Sequence, residues 1–298
     1  MKVLTQEIPL TNTSVKLFVR REDLIHPIVS GNKFRKLKYN LLQAKKSGAN
    51  KLITFGGAFS NHIAATAYSG SVNGFDTIGI IRGEELESKI DSNPTLKFAQ
   101  SCGMIFKFIS REEYRLKDTD QFFDKLNNEY NNFYIVPEGG TNEFAIKGCE
   151  EIVEAEDSIY DYITCAVGTG GTIAGIINSS SANQRILGFP SLKGDFLRKD
   201  ICKFAKKDNW DLIDDYHFGG YGKVSPELIN FINYFNQKNS IPLDPIYTGK
   251  MVFGVLDLIY KNYFPENSKI LMIHTGGLQG IEGMNLKLKN KNLPIINV

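Results

Sequence analysis

Short apolar runs that end abruptly in glycine, each followed by a helical pattern, constrain this chain more than any other feature. Residues 51–55 break into Gly56-Gly57, and residues 162–167 break into Gly168-Thr169-Gly170-Gly171-Thr172. Further short apolar runs, not all of them ended by glycine, lie at 77–81, 104–108, 133–136, 185–189 and 269–274. Runs this short and this rich in β-branched and aromatic residues read as strands, and the periodic stretches between them as helices. Strand–helix alternation along the whole chain predicts α/β architecture with mainly parallel sheets, two of them rather than one very wide one. Strands are also expected at 15–19 and 212–218. The spacing predicts helices over 33–46 (stopped at Gly48), 61–71, 95–101, 119–130, from Asn142 to about Glu156, 173–180, 194–206, 225–236 and up to Tyr260.

With 298 residues the chain can bury a large core, and its 42% hydrophobic and 23% charged residues are those of an ordinary globular protein. A net charge of +2 without a basic block gives no sign of a nucleic-acid partner. Cys102, Cys149, Cys165 and Cys202 lack zinc spacing and are expected as reduced thiols in a cytoplasmic protein. The first residues lack the apolar core of a signal peptide, and no run has the length of a membrane span.

Gly168-Thr169-Gly170-Gly171-Thr172 is the clearest ligand signal. Its glycines let successive N–H groups converge, the next helix adds its positive end, and Thr169 and Thr172 can donate hydroxyl hydrogen bonds to a phosphate. No Gly-Lys-Ser/Thr closes it, and Ile173 replaces the third glycine of a dinucleotide fingerprint, so a small monophosphate is expected. A plain strand-to-helix turn is the competing explanation. The second candidate is Lys33, in Gly31-Asn32-Lys33-Phe34-Arg35-Lys36 at a predicted helix start. There the helix dipole disfavours an ammonium, and Arg35 and Lys36 push the same way, which leaves an amine free to attack a carbonyl. An isolated lysine at such a place is ordinarily a solvated patch.

Ser60, Asn61 and His62 lie where a strand gives way to a helix, a place for ligand docking or for mere capping. Tyr221 and Tyr247 sit in Gly- and Pro-rich loops, and Thr275-Gly276-Gly277 is another turn at a strand end. Four such turns could converge on one crevice. No hydrolase elbow is present, and Glu150-Glu151 and Asp214-Asp215 do not face each other as paired acids.

Taken together and in order, six motifs resemble the fold-type II pyridoxal-phosphate enzymes, in particular the 1-aminocyclopropane-1-carboxylate deaminase / D-cysteine desulfhydrase family. They are Arg21-Glu22-Asp23, Gly31–Lys36, Gly56-Gly57-Ala58-Phe59-Ser60-Asn61, Gly168–Thr172, Asp244-Pro245-Ile246-Tyr247-Thr248-Gly249-Lys250 and His274-Thr275-Gly276-Gly277. The resemblance implies pyridoxal 5'-phosphate attached to Lys33, its 3′-oxygen bonded by Asn61 and its phosphate held by Gly168, Thr169, Gly170, Gly171 and Thr172. It implies Ser60 and Asn61 near the substrate carboxylate, with His62 beside them. Tyr247 and Tyr221 match the family's active-site tyrosines.

The resemblance further implies a smaller domain over residues 41–144, set into a larger one made from 1–40 and 145–298, with the cofactor between them and a homodimer as the assembly. Thr248 and Thr275, which the resemblance places beside the cofactor ring, stand where the cyclopropane deaminases carry Glu and Leu, and match the D-cysteine desulfhydrases. The implied activity is α,β-elimination on a small amino acid; cyclopropane ring opening is the alternative. Phe59 and His62 depart from the residues common at their positions. A reading of another class, a non-catalytic protein that binds a phosphate ligand in the same crevice, predicts a colourless protein.

Overall fold

The computed structural model describes residues 2–194 and 196–298. In chain order the elements are β1 (Thr5–Ile8), β2 (Lys16–Arg20), α1 (Asn32–Lys46), β3 (Lys51–Gly56), α2 (Asn61–Asn73), β4 (Asp76–Arg82), α3 (Pro94–Ser101), β5 (Ile105–Ile109), α4 (Arg111–Arg115), α5 (Asp120–Glu129) and β6 (Phe133–Val136). There follow α6 (Glu143–Cys149), β7 (Tyr162–Val167), α7 (Gly171–Ser179), β8 (Arg185–Pro190), α8 (Phe196–Cys202), β9 (Trp210–Leu212), α9 (Pro226–Asn239), α10 (Thr248–Tyr260), β10 (Lys269–Ile273) and α11 (Gly280–Lys289). Two sheets result, a six-stranded one in the order β1-β2-β10-β7-β8-β9 and a four-stranded one in the order β5-β4-β3-β6. Apart from the antiparallel edge pair β1–β2, every pairing is parallel. Helices cover these sheets, so β3 and β7 are buried along nearly their whole length and read as unbroken apolar runs.

Strand order decides where a ligand can sit. In the small sheet the chain moves outward from β3 through β4 to β5, then returns to place β6 on the other side of β3. In the large sheet it moves from β7 through β8 to β9, then returns to place β10 on the other side of β7. Each reversal opens a crevice at the carboxyl ends of the strands beside it, the usual ligand position in open α/β sheets. The turns after β3, β7 and β10 are three of the glycine-rich breaks seen in the sequence.

Several expected elements differ. The boundary between 40 and 41 falls inside α1, one unbroken helix that packs on both α6 and α2. The helix expected to run to Glu156 ends at Cys149 and continues as two 3-10 turns, Glu150–Ile152 and Ala155–Ile159. In the second turn, Asp157 accepts from the Glu154 N–H and binds Arg20 through both carboxylate oxygens, which holds it out of helical register. The strand expected over 212–218 stops at Leu212 and becomes the 3-10 turn Asp214–Tyr216. Its apolar pattern comes from packing on α10: the Tyr216 hydroxyl donates to Asp257, and the Phe218 ring meets Phe253 edge-on at 5.1 Å. The helix expected over 194–206 is the shorter α8, and its residue 195 lies outside the described residues. β1, α4 and α11 were not anticipated.

Candidate active site

Segments from both halves of the chain meet at one cleft between the sheets. It is lined by Lys33 and Lys36 of α1, residues 59–62 at the start of α2, Gly168–Thr172 before and at the start of α7, Tyr221, Tyr247 and residues 275–277. α1 is fixed there by backbone. Gly31 has φ +61°, and a Cβ on it would stand 2.0 Å from the Thr275 carbonyl oxygen, so only glycine fits. The Gly31 N–H donates to the Glu22 carbonyl (2.9 Å) and the Asn32 N–H to the Thr275 carbonyl (3.2 Å). The first turn of α1 is thereby tied to the end of β10.

Lys33 projects into this cleft and has no side-chain hydrogen bond or ion pair among the described residues. Burial lowers its pKa to about 7, and the neighbouring Lys36 ammonium adds to the effect. Arg35, expected to contribute, does not: its guanidinium is turned away and bound bidentately to Glu22 at 2.9 Å, with Glu151 at 3.4 Å. Those carboxylates neutralise its field.

Lys36 is the residue that the sequence reasoning undervalued. It is 2% exposed, and its Nζ donates to the Gly139 carbonyl (2.9 Å), Thr141 Oγ1 (2.9 Å) and Thr169 Oγ1 (3.4 Å). No carboxylate pairs with it among the described residues. A buried ammonium without a counter-charge is costly, and burial lowers its pKa. Its charge faces the Gly168–Thr172 loop: a Cβ on Gly171 would lie 3.1 Å from Nζ. The sequence signal was its spacing, three residues after Lys33 on the same helical face. Asn32 was missed too; its amide donates to Thr172 Oγ1 at 2.8 Å.

The other expected residues take distinct places. Ser60 caps α2, its Oγ accepting from the N–H groups of His62 and Ile63, so its own proton can still point into the cleft. The Asn61 side chain makes no hydrogen bond to the described residues and lies against Gly277, where a Cβ would be 2.8 Å from Nδ2. His62 lines the cleft, yet its Nε2 is 2.8 Å from Thr54 Oγ1. Thr54 gives its own proton to the Val136 carbonyl, so the imidazole donates at Nε2 and keeps a lone pair on Nδ1, which is buried without a partner among the described residues. Burial, then Lys33 and Lys36, hold its pKa well below 6.5. His62 is neutral, and it offers a substrate carboxylate no charge.

Tyr247 lines the cleft with its ring against Gly168, and burial raises its pKa well above 10, so the hydroxyl stays protonated. Tyr221 meets it edge-on at 6.3 Å. Thr275 faces the cleft. Thr248 lies outside the lining: its hydroxyl donates to Asp244 Oδ1 (2.7 Å) and accepts from the Asp244 N–H (3.0 Å). Asp244 also accepts from the N–H groups of Ile246, Tyr247 and Thr248, capping α10. The half-exposed Phe59 ring crosses to α11 and sits on Gly283.

An unpaired lysine amine that is half deprotonated near neutral pH, facing a cradle of backbone N–H groups, hydroxyls and one buried cation, suits a phosphorylated aldehyde. The fold and the site thus define a two-sheet α/β protein built for carbonyl chemistry on a phosphate-anchored cofactor. The family model described as "Pyridoxal-phosphate dependent enzyme" matches residues 5–276. This chain belongs to that family, among the 1-aminocyclopropane-1-carboxylate deaminases and D-cysteine desulfhydrases, and its cofactor is pyridoxal phosphate.

It is 31% identical to a putative 1-aminocyclopropane-1-carboxylate deaminase of Pyrococcus horikoshii, covering 89% of this chain and 85% of the relative. It is 30% identical to the mitochondrial bifunctional D-cysteine desulfhydrase/1-aminocyclopropane-1-carboxylate deaminase of Arabidopsis thaliana, over 92% of this chain and 75% of that one. The crystal structure of an ACC deaminase homologue superposes with a TM-score of 0.84 at 29% identity, covering 97% and 94% of the two chains. An O-acetylserine dependent cystathionine beta-synthase from Helicobacter pylori shares the fold at a TM-score of 0.70 and 15% identity, over 95% of each chain.

Proposed function

We propose that this enzyme catalyses α,β-elimination on a small amino acid of D configuration, D-cysteine or a close analogue, releasing sulfide, pyruvate and ammonia. The observation that carries the proposal is the Lys33 amine, at about 7, opposite a phosphate cradle in a cleft whose described lining contains no carboxylate. In this reading Gly168–Thr172, Thr169, Thr172 and Lys36 hold the phosphate, and Asn61 offers its amide to the ring oxygen. Pyridoxal phosphate, when bound, supplies an electron sink for the charge that develops at the substrate Cα. Lys33 Nζ, about half of it neutral near pH 7, takes the Cα proton. The protonated hydroxyls of Ser60 and Tyr247 orient the substrate; as the C–S bond breaks, hydrosulfide leaves and takes up the proton removed from Cα, and water then replaces the nitrogen to give pyruvate and ammonia.

Ring-opening deamination of 1-aminocyclopropane-1-carboxylate is the second reading, supported by the names of the relatives. It asks more of the electron sink, and the absence of an acid from the described lining speaks against it. The test is a parallel assay of D-cysteine, L-cysteine, D-serine and the cyclopropane amino acid on purified holoenzyme. D-cysteine should be turned over fastest; a preference for the cyclopropane substrate reverses the order of the two readings. A cytoplasmic homodimer belongs to the same proposal, and light scattering of the purified protein checks the assembly.

A further inference from the structure

Lys250, the last residue of the Asp244–Lys250 motif, has no part in the proposal above. It is 1% exposed, stands in the first turn of α10, and has no carboxylate partner among the described residues. Its Nζ donates to two carbonyls of one loop, His217 at 2.8 Å and Gly220 at 2.9 Å. Burial lowers its pKa to about 8 against the opposing field of Asp244. An ammonium placed there costs more than an apolar side chain of the same length, so the two carbonyls are the reason for its presence.

That loop carries Tyr221. Between Phe218 and Gly222 its backbone has positive φ at four residues: Phe218 (+52°), Gly219 (+86°), Gly220 (+108°) and Gly222 (+65°). The turns aim the carbonyls of His217 and Gly220 inward at Nζ and leave Tyr221 at the cleft mouth, 45% exposed. Beyond the Tyr216 and Phe218 contacts at its root, the loop is held by His217 Nδ1, which accepts from the Gly219 N–H at 2.9 Å, and by the exposed Lys287, which donates to the Gly222 carbonyl at 3.2 Å. Exposed contacts of this kind contribute little.

We propose that Lys250 is a positioning residue for Tyr221: its buried ammonium clamps the 217–222 loop so that the Tyr221 ring stays against Tyr247 at the mouth of the cleft. Lys250 touches neither the cleft nor its contents, and acts through the loop alone. That Tyr221 serves turnover rests on the elimination reading; that Lys250 holds the loop does not.

The test combines hydrogen exchange with a double-mutant cycle on the holoenzyme. In Lys250→Met the amides of Gly219, Gly220 and Lys223, which close the loop, should exchange about tenfold faster while the later turns of α10 keep their protection. Pyridoxal phosphate affinity should change by less than about twofold, and kcat/KM should fall about tenfold or more. In a Tyr221→Ala background the same substitution should cost less than about twofold. Lys250→Arg, which keeps the charge, should restore most of the protection. Unchanged exchange at the loop, or an equal kinetic loss in both backgrounds, overturns the proposal. Should Lys250→Met fail to fold, Lys250→Gln, with an amide donor for one carbonyl, is read by the same exchange measurement. If no amino acid is turned over but exchange rises, the clamp stands and the elimination reading falls.

Discussion

Lys33 shows how far a residue's chemistry can be read before its surroundings are known. Its place near a helix start and the lysine three residues on were both legible. Burial, the larger cause of its lowered pKa, was not, because it depends on strands more than a hundred residues away. Arg35 was misjudged for the same reason: nothing local says that Glu22 and Glu151 will take its charge. Two outcomes follow at this scale. Lys33→Ala should lose the visible absorption of the attached cofactor, its fixation by borohydride, and turnover together; normal turnover would rule out the mechanism. For a base whose pKa is lowered, the reactive neutral form appears as pH rises through the lowered value. Uptake of pyridoxal phosphate by the cofactor-free protein should therefore accelerate with a midpoint near pH 7 rather than near 10.5, as stopped-flow absorbance would show.

At the level of elements, glycine-terminated strands were the most readable, since a buried parallel strand has one composition and its end needs a turn. The 213–218 stretch was less so: alternating apolar residues look alike whether they face a sheet or the flank of α10. The start of α10 was least readable. Thr248 was expected beside the cofactor ring, and the structure commits its hydroxyl to Asp244. This changes what substitution there should do. In Thr248→Glu a second carboxylate would enter a buried spot whose present hydroxyl lies 2.7 Å from the Asp244 carboxylate, and with the two acids this close one of them must hold a proton. The double variant Thr248→Glu with Thr275→Leu should lose about 1–3 kcal/mol of stability in chemical denaturation. It should gain ring-opening activity relative to D-cysteine elimination only when Asp244→Asn is added. A gain without that third change would show that the new carboxylate reaches the cleft unaided.

Across the whole molecule, the cleft exists because both sheets reverse their strand order and turn those reversals toward each other. The phosphate grip proposed above is accordingly split between parts of the chain far apart in sequence. The loop at 168–172 follows β7 of the large sheet, Lys36 comes from α1, and Thr141, which Lys36 binds, follows β6 of the small sheet. A phosphate bound there would give Lys36 its missing counter-charge and draw both sheets onto one anion. Ligand that binds only the folded form stabilises it by mass action, about 2.7 kcal/mol at a hundredfold excess over Kd. Pyridoxal phosphate should thus raise the melting temperature of the cofactor-free protein by several degrees. Pyridoxal, which can react with Lys33 but brings no phosphate, should raise it far less. In Lys36→Met the difference between the two compounds should shrink, because the lost charge acts on the phosphate and not on the aldehyde. If the two compounds still differ in that variant as they do in the wild type, the glycine loop and helix N-terminus hold the phosphate alone, and the buried ammonium of Lys36 serves only the packing between the sheets.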